Sequence, residues 1–418
     1  MTVSKMAQNL IGSEIIRVAG EVNAMIAKGE PICNLTIGDF NPSLYPIPEE
    51  LRQGITKAYE QGHTNYPPAN GVAVLRKAVV AFTQERLGLT YPENDILVAG
   101  GSRPLIYATY MALVDPGDKV VYPTPSWNNN HYCHLSGATP VEVKTRPENN
   151  FMPTAADVKP HLKGATMLAL CSPLNPTGTM FSKKDLEEIC DLVLEENQSR
   201  GEGEKPLYLL YDQIYWMLTF GAAEHYDPVS LRPEIREYAI YIDGTSKCFA
   251  ATGVRVGYAF GPTVVMDKMK SILGHVGAWA PKAEQMATAE FLQQPEEVDS
   301  FMSEFKPKVQ ESLTTLYNGF KELKAEGYTV DAIEPMGAIY LSAKIDLAGK
   351  TTSEGKVLES SQDITFYILH EAKLAVVPFS AFGSGKDLNW FRLSVGGASL
   401  DDIKASIGRL REALAKLK

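Results

Sequence analysis

Apolar residues along this chain fall into two alternating rhythms. Short, almost unbroken apolar runs at residues 95–99, 118–122, 165–171, 207–211, 238–242 and 254–260 have the length of strands. Between them come segments whose apolar residues recur every three or four positions. Leu51, Ile55 and Ala58 mark a helix after Pro48, and Val72, Leu75, Val79 and Phe82 mark another. Residues 104–114 form a third; Leu186, Ile189, Leu192 and Val193, opened by Ser182 and Asp185, form a fourth. Runs that are apolar on both faces need cover on both faces. The alternation from about 94 to 260 therefore predicts a mainly parallel sheet between two helical layers.

The two ends read differently. Ile15, Ile16, Ala19, Val22, Met25 and Ile26 form a helical stripe that stops at Gly29, and a strand follows at 32–37. Toward the other end, a long polar helix pattern from about 296 to 326, interrupted by Pro307, leads to a strand at 338–345. A helix at 364–371 and apolar runs at 374–377 and 390–396 complete it. The expected fold is α/β: a three-layer large domain with a mainly parallel sheet, plus a smaller α+β domain.

Composition narrows the class without naming it. A chain of 418 residues, 44% apolar and 22% charged, has room for two domains and a large core. Its net charge of −10 argues against a broad nucleic-acid footprint. No apolar run approaches the roughly 20 residues of a membrane span, and residues 1–6 lack a secretory apolar region. The five cysteines are scattered, odd in number and form no C-x-x-C pair, as in reduced, cytoplasmic proteins. His131 and His134 are spaced like metal ligands on a helix, but no carboxylate or cysteine set accompanies them, so no metal is expected.

Chemistry concentrates just beyond the predicted strands. After the run at 238–242 comes Asp243-Gly244-Thr245-Ser246-Lys247-Cys248-Phe249, and then Gly253-Val254-Arg255-Val256-Gly257. Burial of a lysine walled by apolar and small residues can lower its ammonium pKa, and the neutral amine can then form a Schiff base with a carbonyl; read alone, the residue also fits an ordinary solvated lysine. Arg255, flanked by glycines, offers an anion a planar fork of donors. Gly100-Gly101-Ser102-Arg103, between a strand and a helix, exposes backbone N–H groups and a hydroxyl to an anion; generic glycine turns look the same. Asp212, at the end of the run at 207–211, is placed to pair with a protonated ring nitrogen. A nucleophilic amine and a phosphate clamp together suggest pyridoxal phosphate.

Ser246-Lys247 followed by Gly253-Val254-Arg255-Val256-Gly257 resembles the lysine signature of the class I/II aminotransferases, pyridoxal-phosphate enzymes of fold type I. Ser172-Pro173-Leu174-Asn175-Pro176-Thr177-Gly178 is similar to that family's N-P-T-G turn, which read alone is a proline-flanked structural turn. The resemblance runs along nearly the whole chain. It implies that the small domain is built from both chain ends: 48–295 as the large cofactor-binding domain, and 1–47 with 296–418 as the small one, including the connecting helix. It implies that Lys247 carries the cofactor, Trp127 stacks on its ring, and Asn175 and Tyr215 donate to its phenolic oxygen. Gly101, Ser102, Arg103, Ser246 and Arg255 would surround its phosphate. Arg392 would bind the substrate α-carboxylate, with Gly38 and Asn175 beside it. Tyr66, in a loop ahead of a helix with Arg76, would reach the phosphate of the other subunit. By their residues alone, Gly38 is equally a turn after a strand and Tyr66 a plain loop tyrosine.

Two departures from the family pattern stand out. The serine that many members carry three residues before the lysine is Gly244 here, leaving Thr245 or Ser246 to substitute; the acidic residue that usually follows the aspartate is Gln213. The implied function is an amino-acid aminotransferase, a homodimer with shared sites exchanging amino groups between amino acids and 2-oxo acids. A carbon–sulfur lyase or another enzyme of the same fold is the alternative. A non-catalytic pyridoxal-phosphate regulator is disfavoured by the retained lysine and by an N-terminus too short for a DNA-binding domain. The cations that bind a distal carboxylate in the family are unmatched: Ser102 stands in for one, and 277–282 holds no arginine for the other. Arg103 and Lys282 are nearby candidates, and neutral or aromatic donors are expected to be accepted.

Overall fold

The computed structural model describes residues 3–10 and 14–418, with side chains from residue 18 onward in the second segment. A two-residue strand, β1 (Cys33–Asn34), precedes the strands of the large sheet. These are β2 (Ile96–Ala99), β3 (Lys119–Thr124), β4 (Thr139–Lys144), β5 (Ala165–Cys171), β6 (Tyr208–Asp212), β7 (Ala239–Gly244) and β8 (Gly257–Phe260). Their order is β2-β8-β7-β6-β5-β3-β4. All neighbours pair in parallel except β8, which runs antiparallel to β2 and β7. Successive residues face opposite layers. Leu209, Tyr211 and Tyr241 enter one core with Leu51, Phe249 and Phe291, whereas Leu210, Ile240 and Ile242 enter another with Tyr110, Tyr122 and Leu273. That two-sided burial is why these strands read as unbroken apolar runs.

A third core joins the chain ends. β9 (Val330–Ala332), β10 (Tyr340–Ile345), β11 (Leu374–Ala375), β12 (Val377–Pro378) and β13 (Trp390–Ser394) follow the large sheet in sequence. Four of them form a sheet ordered β12-β13-β10-β9, while β11 pairs in parallel with β1. Leu35 from the N-terminal side packs there with Leu341, Ile364, Phe391 and Ile403. The helix Pro295–Ala325 ties the cores together, Val298 lying in the first and Phe305, Val309, Leu313 and Phe320 in the third.

Several expectations need correction. The helix does not break at Pro307. An interior proline costs about 3 kcal/mol, but each fully buried large apolar residue on this helix contributes roughly 1.5–3 kcal/mol, so packing on both sides of Pro307 outweighs it. In the N-terminal helix Glu14–Ala27, Val18, Val22 and Met25 pack against Leu369 and Ala375, but Ile26 is 45% exposed because only a narrow stripe is covered. The side chains of Ile15 and Ile16 lie outside the described residues. The expected strand at 32–37 shrinks to β1, and the run at 374–377 divides between β11 and β12. β4 had no apolar signature: it is an edge strand on which only Val143 is buried. Among the described residues, no helix is long and apolar enough to cross a membrane.

Candidate active site

β3, β5, β6 and β7 end on the same side of the sheet, and the turns beyond them meet β10 and β13 around a cavity of about 580 Å³. Lys247 enters it from the one-turn helix Thr245–Cys248, which follows β7 directly. Its amine donates to the Gly38 carbonyl at 2.5 Å and lies about 6 Å from the rings of Phe40 and Tyr215. Burial lowers the Lys247 ammonium to about 8, against Asp39, which raises it; the cations Arg392, Arg103 and Arg255 push it down further. Thr245 does not face the cavity, because its hydroxyl donates to Val256 at 3.1 Å; Ser246 does. A serine at 244 would be crowded. A Cβ on Gly244 would stand 2.8 Å from both the Gly257 Cα and the Val256 carbonyl.

Anion-binding groups gather at one end. Gly101, with φ 97°, turns the chain out of β2 into the helix Ser102–Leu113. Arg255 is itself left-handed, with φ 59°, so β8 starts only at Gly257 and the expected strand at 254–260 is shortened. A positive φ at a non-glycine residue costs energy and marks functional positions. Here it lays the guanidinium against the glycine turn, donating to Gly100 at 2.7 Å and Thr252 at 2.8 Å. Gly101 and Gly257 leave the room: a Cβ on Gly101 would overlap the guanidinium, and one on Gly257 would press on the Ser102 amide. Arg103 is exposed and lies 5.1 Å over the Trp127 ring.

The opposite wall is polar and dry. Asp212 is raised to about 6 by burial, opposed by the Ile214 amide that it accepts at 3.1 Å. Arg392 is only 2% exposed; it donates to Asn175 Oδ1 at 3.1 Å and to Thr36 at 2.6 Å, and its Nε has no partner. Among the described residues no carboxylate pairs with it, and burial lowers its pKa. A buried cation without an acid partner is costly unless an anionic ligand completes it. Tyr215 meets Tyr340 hydroxyl to hydroxyl at 2.6 Å.

The cavity thus brings together Gly38, Ser102, Arg103, Trp127, Asn175, Asp212, Tyr215, Ser246, Lys247, Arg255 and Arg392, with Gly101 behind the Arg255 guanidinium. Tyr66 is elsewhere: 81% exposed, edge-on to Trp279 at 5.2 Å, in a second cleft with Lys282, which donates to Asn65. Arg76 pairs with Glu93 at 2.8 Å. His134 meets the Met6 carbonyl at 2.8 Å. Sequence reasoning missed Tyr340 and Asp39. Tyr340 looked like one more core residue of an apolar strand, and Asp39 like part of a turn. Asp39 accepts from the Thr252 hydroxyl and lines the cavity near Lys247.

The residues fit pyridoxal phosphate. A lysine amine of lowered basicity, a buried carboxylate with no cation partner and a built anion cradle on a parallel sheet define an enzyme that uses this cofactor. The family model for aminotransferase class I and II matches residues 30–410, and the chain belongs to that family. It is 28% identical to an aspartate aminotransferase of Rhizobium meliloti, over 97% of this chain and 94% of the relative. It is 30% identical to a probable aspartate/prephenate aminotransferase of Rhizobium leguminosarum bv. phaseoli, over 91% of each. The crystal structure of the aspartate aminotransferase from Rhizobium meliloti superposes with a TM-score of 0.91 at 27% identity, covering 100% of both chains. The protein is accordingly a pyridoxal-phosphate-dependent aminotransferase, acting on an amino acid and a 2-oxo acid.

Proposed function

We propose that this enzyme takes neutral and aromatic α-amino acids as well as acidic ones, works as a homodimer, and uses the cavity residues in the following roles. The observation that carries this reading is a lysine amine and a buried guanidinium facing one cavity, neither of them in an ion pair among the described residues. When bound, the cofactor supplies a sink for the electrons released at the substrate Cα. Lys247 holds the cofactor covalently and, once displaced by the incoming amino group, takes and returns the Cα proton; an amine with a pKa of about 8 is suited to both. Asp212 would keep a proton on the ring nitrogen of the bound cofactor. Asn175 spends its carbonyl oxygen on Arg392, which leaves its amide hydrogens for the cofactor's phenolic oxygen beside Tyr215. Trp127 covers the ring face. Gly101, Ser102, Arg103, Ser246 and Arg255 surround the phosphate, with Tyr66 of a second copy. Arg392 grips the α-carboxylate through its N–H fork, and Gly38 lets the substrate approach.

The same reading divides the chain into 48–295 and 1–47 with 296–418, supported by the separate cores, and places it in the reducing cytoplasm, in keeping with five free cysteines. The relatives' names make aspartate a donor to test, and 2-oxoglutarate is the acceptor to pair with it, but Ser102 supplies no distal cation and Arg103 is solvent-exposed over Trp127. Apolar side chains should be discriminated by only about 1–3 kcal/mol. Borohydride treatment of the loaded enzyme should leave one pyridoxyl group on the peptide containing Lys247; labelling elsewhere rejects the assignment. Amino acids added singly should bleach the cofactor absorbance with leucine, phenylalanine and alanine as well as aspartate. A preference for aspartate on the order of a thousandfold over all three would mean that a distal cation operates, and Arg103→Ala would then be the first variant to make.

A further inference from the structure

Tyr340 occupies a junction that the roles above leave unused. It lies on β10, fully buried, and lines the cavity. Its hydroxyl is 2.6 Å from that of Tyr215, with the rings edge to face at 5.6 Å. The Arg392 guanidinium sits over its ring at 4.8 Å. A Cβ on Gly38 would be only 2.5 Å from the Tyr340 hydroxyl, so glycine at 38 is what lets that hydroxyl reach Tyr215 beside the carbonyl that holds Lys247. Tyr340 comes from the C-terminal sheet and Tyr215 from the turn after β6, so the contact joins segments 125 residues apart.

Two hydroxyls in contact share one proton between them, so one must accept. Tyr215 has a single proton, and in the proposed site it goes to the cofactor's phenolic oxygen. Its lone pair then faces Tyr340, which leaves Tyr340 as the donor. The cation over its ring polarises the Tyr340 O–H and strengthens that bond. We infer that Tyr340 is a positioning residue with two parts: its hydroxyl directs and strengthens the hydrogen bond that Tyr215 gives the cofactor, and its ring seats the carboxylate-binding Arg392. This rests on the proposed roles of Tyr215 and Arg392. The charged and titratable groups facing the pair are Lys247, Arg392, Cys171 and Asp39.

The two parts separate by substitution. In Tyr340→Phe, Tyr215 loses its donor and stabilises negative charge on the phenolic oxygen less well. That oxygen then favours a proton on the neighbouring Lys247 nitrogen. The midpoint of the pH titration of the bound cofactor's visible absorbance should move to higher pH by about half a unit to one unit. The same substitution made in a Tyr215→Phe background should produce no further shift. Affinity for an unreactive carboxylate, 3-phenylpropionate, should stay near the parent value in Tyr340→Phe and fall about tenfold in Tyr340→Leu, which removes the ring under Arg392. An unmoved midpoint in Tyr340→Phe, an equal shift with and without the Tyr215 hydroxyl, or an equal affinity loss in the Phe and Leu variants would each overturn the inference. Absence of Lys247-linked absorbance in the parent enzyme would instead reject the proposed site roles, whatever Tyr340 does.

Discussion

At the scale of single residues, the site stores charge at a cost to stability. Lys247 illustrates the sign. Its ammonium is lowered to about 8 in the folded protein against roughly 10.4 in an unfolded chain, so between those values the unfolded state binds more protons. Folding of the cofactor-free protein is therefore penalised fully below pH 8, and the penalty fades as pH rises toward 10.4. Lys247→Met should make the cofactor-free protein more stable by about 2 kcal/mol at pH 7, with the gain nearly gone above pH 10.5. The full shift would give somewhat more, but the side chain keeps part of its surface open to cavity water. Urea denaturation at the two pH values checks this. A gain that persists unchanged at high pH would point to packing rather than charge.

At the scale of elements, the strand–turn–strand from β7 to β8 decides which residues the site can use. A Cβ on Gly244 would crowd Gly257 and Val256, and one on Gly257 would crowd the Gly101–Ser102 peptide, so three backbone segments lie too close there to admit a side chain. Placing a serine at 244 should therefore harm this protein. Gly244→Ser is expected to destabilise by about 1–3 kcal/mol and to weaken cofactor binding, as read by thermal unfolding with and without cofactor. Gly408→Ala is the contrast, since its Cβ meets nothing within 4 Å inside the helix Leu400–Ala415. It should stabilise by about 0.5–1 kcal/mol through helix propensity. If Gly244→Ser behaves like Gly408→Ala, the close contact does not hold in solution.

At the scale of the molecule, Tyr66 is far more exposed than a large aromatic residue usually is, and it stands with Trp279 in a cleft outside the Lys247 cavity. The proposed dimer accounts for it by placing this loop at the other subunit's phosphate. Mixing inactive Lys247→Ala protein with a Tyr66→Phe variant of low activity, then unfolding and refolding together, should yield hybrids with one sound site. Recovered activity should approach one quarter of the parent value per total subunit, a random-pairing estimate that assumes independent sites. No recovery above the Tyr66→Phe background, or full activity in a monomer by sedimentation, would exclude a shared site.

What the sequence determined by itself was whatever local physics writes in consecutive residues. Two-sided burial leaves unbroken apolar runs, so six of the large sheet's seven strands were legible, with ends that differ by a few residues. Reactive groups just past strand ends form short strings, so Lys247, Arg255, Asn175 and Asp212 were legible too. Tertiary structure decided the rest, because the deciding partners are distant in sequence. An edge strand such as β4 leaves no apolar run, and whether Pro307 breaks its helix depends on cores contributed by both chain ends. Thr245 or Ser246 could not be chosen until the fold brought Val256, just ahead of β8, against the Thr245 hydroxyl. Tyr340 became more than a core residue only when folding set it between Arg392, Tyr215 and Gly38, because a strand's pattern records burial but not what lies across the cavity.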